Sequence, residues 1–207
     1  MIAIIDYDAG NIKSVEKALL LLGEEVVLTR DADVLMQAEK VILPGVGAFG
    51  DAMDKLKEYG LVDVIKRVVE KGTPFLGICL GLQLLFESSQ ESPGVEGLGI
   101  LKGKIVRIPD GTDVDGTALK IPHIGWNSLE FPKDGRLFAD LPEESYVYFV
   151  HSYYLKAEED IVTARTHYGV AIDASVEKGN VFACQFHPEK SSEVGLQILK
   201  NFVSIGR

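Results

Sequence analysis

Through the first half of this 207-residue chain, short β-branched runs alternate with segments of helical period. Strands are predicted at residues 2–5, 25–28, 41–43 and 75–78, with amphipathic stretches between them. Such alternation predicts an α/β fold, an open and largely parallel sheet flanked by helices. The helix after the first strand sets Ile12, Val15, Ala18, Leu19 and Leu22 on one face, and Leu61, Ile65, Val68 and Val69 mark another. Gly23 and Gly72 stand where those helices should stop. From about Lys104 the pattern changes to strand-like pieces at residues 104–108, 128–131, 146–150, 161–166, 171–176 and 181–186, expected as mixed or antiparallel additions. A closing helix is predicted over 192–203, with Ser191 or Ser192 available as its N-cap. There is no repeat, no low-complexity tract and no linker, so one domain over residues 1–207 is expected.

The formal charge of -10 repels phosphate backbones, and no cluster of Lys and Arg offsets it locally, which argues against a nucleic-acid partner. The N-terminal run Met1-Ile2-Ala3-Ile4-Ile5-Asp6 has no basic lead and is too short for a signal peptide or a membrane span. A soluble, cytoplasmic protein is expected. Two cysteines far apart in sequence do not make a disulfide scaffold, so Cys79 and Cys184 are each read as single thiols.

The sharpest chemical signal is Phe75-Leu76-Gly77-Ile78-Cys79-Leu80-Gly81-Leu82-Gln83, an apolar strand entering a Gly-x-Cys-x-Gly turn and then a helical pattern. This is a nucleophile elbow with sulfur in place of oxygen. Its glycines let strand and helix backbones approach closely and lift the central side chain above the sheet in a strained conformation. Beside a helix N-terminus, Cys79 would favour the thiolate. The bland reading, a small buried hydrophobe, is disfavoured by glycines on both sides.

A thiolate attacking a carbonyl needs a proton shuttle, and Gln185-Phe186-His187-Pro188-Glu189 offers one just past an apolar strand. His187 is the expected acid and base, with Glu189 orienting its ring. Taken alone, a surface His followed by a turn-forming Pro would fit as well. Cys184, inside the strand, is read as core filling. The turn Pro44-Gly45-Val46-Gly47-Ala48-Phe49-Gly50 matches Gly-x-Gly-x-x-Gly formally, but it follows the third strand and lacks an acidic ribose ligand, so nucleotide binding ranks low. Its backbone N–H groups at Val46 and Gly47 are instead expected to join that of Leu80 as an oxyanion hole.

His123, His151 and His167 show no metal-ligand spacing, and no metal is expected. His123 and Trp126 are read as a turn displaying the only tryptophan, either packed in the core or anchoring an interface. Residues 109–120, rich in Asp, Gly and Thr, are read as an exposed excursion. There, Asp113-Val114-Asp115-Gly116 fails as a calcium loop, because the first ligand position is Gly111 and the twelfth is Pro122.

Together the elbow, with Gln83, and the His187-Pro188-Glu189 turn resemble the class I glutamine amidotransferases. Within that family the resemblance is closest to the branch whose glutaminase serves a cyclase building imidazole glycerol phosphate in the histidine pathway. Gly10-Asn11, Pro44-Gly45-Val46-Gly47, His123-Ile124-Gly125-Trp126-Asn127 and Lys190-Ser191-Ser192 carry that closer likeness. The resemblance implies a Cys79, His187 and Glu189 triad hydrolysing L-glutamine without a cofactor. It implies that Gly45, Gln83, Glu91 and the backbone of His151, Ser152 and Tyr153 bind the substrate. It also implies that the regions of Asn11, Trp126 and Lys190 face a (β/α)8-barrel cyclase subunit in a heterodimer, which completes the Gly45-Val46-Gly47 oxyanion turn on association. Three alternatives stand beside this reading: a glutaminase serving anthranilate or aminodeoxychorismate synthase, a thiol peptidase, and a non-catalytic regulatory subunit.

Overall fold

The structure, a computed structural model, describes residues 1–112 and 116–206. In chain order the first half runs β1 (Ile2–Ile5), α1 (Ile12–Leu21), β2 (Val26–Thr29), α2 (Ala32–Gln37), β3 (Lys40–Leu43), α3 (Phe49–Glu58), α4 (Leu61–Glu70), β4 (Phe75–Ile78) and α5 (Leu80–Leu84). There follow β5 (Ser88–Ser89), β6 (Gly103–Arg107), β7 (His123–Ser128), β8 (Tyr146–His151), β9 (Tyr153–Ala157), β10 (Val162–Tyr168), β11 (Val170–Lys178), β12 (Val181–Cys184) and α6 (Ser192–Ser204). Strands β2, β1, β3, β4 and β12 lie side by side and all parallel, and β11, β9 and β6 extend the sheet antiparallel. β10 pairs with β11, and β7 and β8 form a separate antiparallel hairpin. This is the expected largely parallel α/β sheet with antiparallel additions.

The parallel strands are buried on both faces because each face has its own helical cover. In β1, Ala3 and Ile5 point to the side where Phe49, Leu56, Leu61 and Ile65 of α3 and α4 pack. Ile2 and Ile4 point to the other side, against Val15 and Leu19 of α1 and Ile198, Leu199 and Phe202 of α6. Gly23 and Gly72 end α1 and α4 at φ +81° and +86°, values that a residue with a Cβ reaches only with strain.

Several boundaries depart from the sequence reading. β12 stops at Cys184, two residues short of the predicted end, and its neighbour across the sheet is β4 in parallel register. The predicted strand at 128–131 is displaced to β7, and the stretch read as a turn around His123 and Trp126 is that strand. There Ile124 and Trp126 point to solvent, 59% and 54% exposed, so apolar side chains face outward and the inward-apolar rule misreads the segment. Strand β9 had no counterpart, since Tyr153-Tyr154-Leu155-Lys156-Ala157 lacks a clear alternation. Ser191 is not a side-chain cap of α6. Its hydroxyl instead accepts from Tyr148 N at 3.0 Å and donates to His187 O at 2.6 Å. The described part of residues 109–120 is mostly exposed, with Leu119 N donating to Gly111 O at 2.9 Å. Asp113, Val114 and Asp115 lie outside the described residues. Among the described residues no helix is long and apolar enough to cross a membrane.

Glycines let backbones approach closely at the β4–α5 turn. A Cβ on Gly81 would lie 1.8 Å from Leu43 O, and one on Gly77 would lie 2.7 Å from Gly81 O. Gly81→Ala is expected to lower unfolding free energy by about 3 kcal/mol, at the upper end of overpacking costs. Gly23→Ala, which meets nothing within 4 Å, is expected to cost only about 1 kcal/mol of backbone strain. Urea denaturation of the two variants checks this order, and equal midpoints would refute it.

Candidate active site

The turn after β4 holds Cys79 at φ +56°, ψ −108°, a conformation that a residue bearing a Cβ adopts only under constraint. Its N–H donates to Cys184 O at 2.8 Å, tying the elbow to the end of β12. Cys79 borders a cleft of about 250 Å3, together with Val46, Gly47, Leu80, Gln83, Glu91, His151, Ser152 and Tyr153 of the predicted residues. Pro122 and Val150 also line it. Gly45 is not a lining residue. It sits behind, where a Cβ would meet the Tyr7 hydroxyl at 2.3 Å and Leu80 Cβ at 3.1 Å.

Parallel pairing of β12 with β4 sets Cys184 opposite Ile78, so chain leaving the two strands emerges side by side. His187 is thereby brought to Cys79 across more than a hundred residues of sequence. The backbone N–H of His187 donates to Tyr148 O at 3.0 Å and its carbonyl accepts from Ser191, which fixes the turn against β8. Glu189 Oε1 lies 2.7 Å from His187 Nδ1, both side chains being buried. The Asn11 amide also donates to Glu189 Oε1 and lies 3.5 Å from His187 Nδ1. The other ring nitrogen, Nε2, makes no hydrogen bond among the described residues, and neither does Glu189 Oε2. Burial pulls the His187 imidazole down, but Cys79 and Glu189 outweigh it and push the ring up to about 9.

The glycine-rich turn is held in a particular state. Leu80 N–H donates to Gly45 O at 3.3 Å, so one expected oxyanion donor is already engaged. Gly47 has φ +106°, and the Tyr7 hydroxyl donates to Pro44 O at 2.7 Å. Burial, then the charge of Cys79, raises the Tyr7 phenol above its usual range, so it stays a donor.

Gln83 is buried, and its Nε2 donates to Tyr153 O at 3.1 Å and to Gln185 Oε1 at 3.0 Å. Gln185 Nε2 in turn lies 3.7 Å from Cys79 Sγ. Sequence reasoning did not single out Gln185. Its position, two residues before the histidine at the end of a buried strand, was the available signal. Glu91 Oε2 accepts from Phe49 N at 2.8 Å at the start of α3, anchoring the cleft wall to the turn beside it. Asn11, expected at a subunit face, turns its side chain inward to Glu189, while Trp126 and Lys190 are exposed. Cys184 is fully buried, and burial above all holds its thiol well above the ordinary value. Among the described residues no group of three or more His, Cys, Asp or Glu could hold a metal.

The family model for class I glutamine amidotransferases matches residues 3–205. The chain is 51% identical to the imidazole glycerol phosphate synthase subunit HisH of Moorella thermoacetica, covering all of this chain and 95% of that protein. It is 49% identical to the protein of the same name from Methanothermobacter thermautotrophicus, with both chains fully covered. Among solved structures, a crystal structure of a glutamine amidotransferase superposes with a TM-score of 0.73 at 23% identity, covering 97% of this chain and 98% of that one. The glutaminase domain of Trypanosoma brucei CTPS, with bound acivicin, gives 0.65 at 15% identity over 98% and 93% of the two chains. These structures share the fold.

Because the folded His187 pKa of about 9 exceeds the ordinary 6.5, the protonated ring contributes stability that is full below pH 6.5 and is lost as pH rises through about 9. Glu189→Gln and Cys79→Ala are each expected to lower that pKa, and in the double variant burial alone should carry it below 6.5. NMR titration of the imidazole checks this, and a value still near 9 in the double variant would show the cause to lie elsewhere.

Proposed function

The chain belongs to the class I glutamine amidotransferases, and on that premise we propose that it is the glutaminase subunit of an imidazole glycerol phosphate synthase. It hydrolyses L-glutamine to glutamate and ammonia and passes the ammonia to a (β/α)8-barrel cyclase subunit in histidine biosynthesis. The observation that carries the chemistry is Cys79 at positive φ in the cleft wall with the buried His187–Glu189 pair behind it. The pathway rests on the identity of about half to the HisH subunits over the whole chain. We read residues 1–207 as one glutaminase domain, supported by the extent of the family match.

In this reading the Cys79 thiolate attacks the side-chain carbonyl carbon of glutamine and the carbonyl oxygen becomes an oxyanion. The C–N bond then breaks, His187 gives its proton to the departing nitrogen, and ammonia leaves behind a glutamyl thioester. Water attacks the thioester carbonyl while the neutral His187 takes its proton, and glutamate departs as the thiolate is restored. Glu189, with Asn11 on the same oxygen, keeps the ring in one orientation and favours its protonated form. The cleft residues Gln83 and Glu91 and the Ser152 rim are assigned to the substrate, with Gly45 supporting the oxyanion turn from behind rather than touching glutamine. No step requires a cofactor.

Two features support a need for a partner. Ammonia in neutral water is mostly protonated and non-nucleophilic, so release into bulk would waste it. In the isolated chain the Leu80 N–H is taken by Gly45 O, and that bond must open before Leu80 can meet an oxyanion along with the amides of Val46 and Gly47. The exposed Trp126, with Lys190 beside the His187 turn, is assigned to the subunit face.

Glutamate release is expected to be slow for the chain alone and to rise at least about a hundredfold with the cyclase and its ribonucleotide substrate, the scale of one oxyanion donor gained. Cys79→Ala should abolish it in every mixture. Full activity of the isolated chain, unchanged by the cyclase, would refute the partner requirement. A glutamine-analogue electrophile should label Cys79 and spare Cys184, and labelling of Cys184 instead would sink the assignment of the nucleophile.

A further inference from the structure

Resting on the glutaminase reading, we infer that His123 is a positioning residue for the hydrolysis. Through His151 it holds in place the Tyr153 carbonyl, the acceptor that anchors the Gln83 amide and, through it, the Gln185 amide beside the Cys79 sulfur. The side chains of His123 and His151 face each other across the β7–β8 hairpin, where they are direct register partners. His123 is 3% exposed, its ring stacked between Phe149 at 4.9 Å and Tyr168 at 4.0 Å. Its Nδ1 lies 3.0 Å from His151 Nε2, and His151 Nδ1 lies 2.8 Å from Tyr153 O.

The proton positions follow from what each group can do. A carbonyl only accepts, so His151 Nδ1 must carry a hydrogen. Burial holds the His151 imidazole down at about 3, so the ring is neutral and Nε2 is a bare acceptor. His123 Nδ1 must therefore donate to it, and the Asn127 amide nitrogen lies 3.5 Å from His123 Nε2. The opposite tautomer of His123 would set two lone pairs 3.0 Å apart in a buried site. The second lone pair of Tyr153 O takes one hydrogen of Gln83 Nε2, and Gln185 Oε1 takes the other. Gln185 is then left with its Nε2 toward Cys79 Sγ. Tyr153 O thus accepts from both sides, from His151 toward the hairpin and from Gln83 toward the nucleophile, and reversing either donor leaves a buried acceptor unmatched.

Tyr153 lines the glutamine cleft, so the same chain fixes both the rim and the donor beside the sulfur. Without the His123 donor, the His151 ring is free to turn, Tyr153 O loses one of its two donors, and the carbonyl that anchors the Gln83 and Gln185 amides can shift. A shifted Gln185 would carry its amide donor away from the sulfur.

The test compares His123→Phe, which keeps a stacked ring and removes the donor, with His123→Asn, which loses the stack but keeps an N–H near the Nδ1 position. Both are measured in the complex with the cyclase and its ribonucleotide, as kcat and KM for L-glutamine and as melting temperature. His123→Phe is expected to lose about tenfold or more in kcat with a smaller change in KM, the scale of one buried acceptor left unmatched. His123→Asn should recover most of that kcat while melting lower than His123→Phe. A fully active His123→Phe, or a His123→Asn no better than it, overturns the inference. Independently of activity, nitrogen-15 NMR of the wild-type chain should show His151 as the neutral Nδ1–H tautomer and His123 with a hydrogen on Nδ1, and a bare Nδ1 at either overturns it as well. If the wild-type complex releases no glutamate the glutaminase reading fails and takes this role with it, whereas an active wild type matched by His123→Phe removes only the role of His123.

Discussion

The contact between Gly81 and the Leu43 carbonyl is the constraint on which the site depends. A Cβ there would sit at 1.8 Å, so α5 can pack against β3 only because that position has none. The close approach forces the chain to reverse within one residue, and that residue, Cys79, takes the positive φ. The Cys79 N–H bond to Cys184 O then ties the reversal to β12, the strand that leads to His187. Packing, backbone strain and placement of the reactive sulfur are one event, since relaxing the strain would require α5 to move away from the sheet.

Electrostatics works on this frame in two opposed environments. On one side, His187 lies between Cys79 and Glu189, and their pull exceeds the cost of burying its charge. On the other, His151 is also buried but faces a carbonyl and another imidazole, so burial dominates and it stays neutral. Two buried histidines, His151 in the cleft wall and His187 behind it, are thereby driven in opposite directions by their neighbours. One can carry a proton at neutral pH, and the other can serve only as an oriented dipole.

Much of the fold was legible in the chain itself. The parallel half announced itself through runs such as Ile2-Ala3-Ile4-Ile5, apolar because both faces are covered, and the helices through their 3.6-residue period. Strand β8 was legible, but its hairpin partner β7 was not, because Ile124 and Trp126 face solvent and the pattern that marks a buried face is absent. At the site, Cys79 was visible from its flanking glycines and His187 from its strand-end position beside Glu189. Gln185 was not, since a glutamine beside a strand looks alike whether its amide meets solvent or a sulfur. Asn11 was read toward a subunit face, and its inward turn onto Glu189 is a contact across 178 residues that no local pattern encodes.

By itself the sequence determined the class of fold, the nucleophile, its proton carrier and the family, because each depends on local patterns: strand and helix periods, glycines beside a cysteine, a histidine and a carboxylate two residues apart. Tertiary structure alone decided which side chains share hydrogens and which donors are already used. The Leu80 N–H is occupied by Gly45 O, and the His123–His151 pair has one permitted polarity. Those facts depend on angstrom-scale distances between segments far apart in the chain, set by sheet register and by the depth to which glycines let backbones approach.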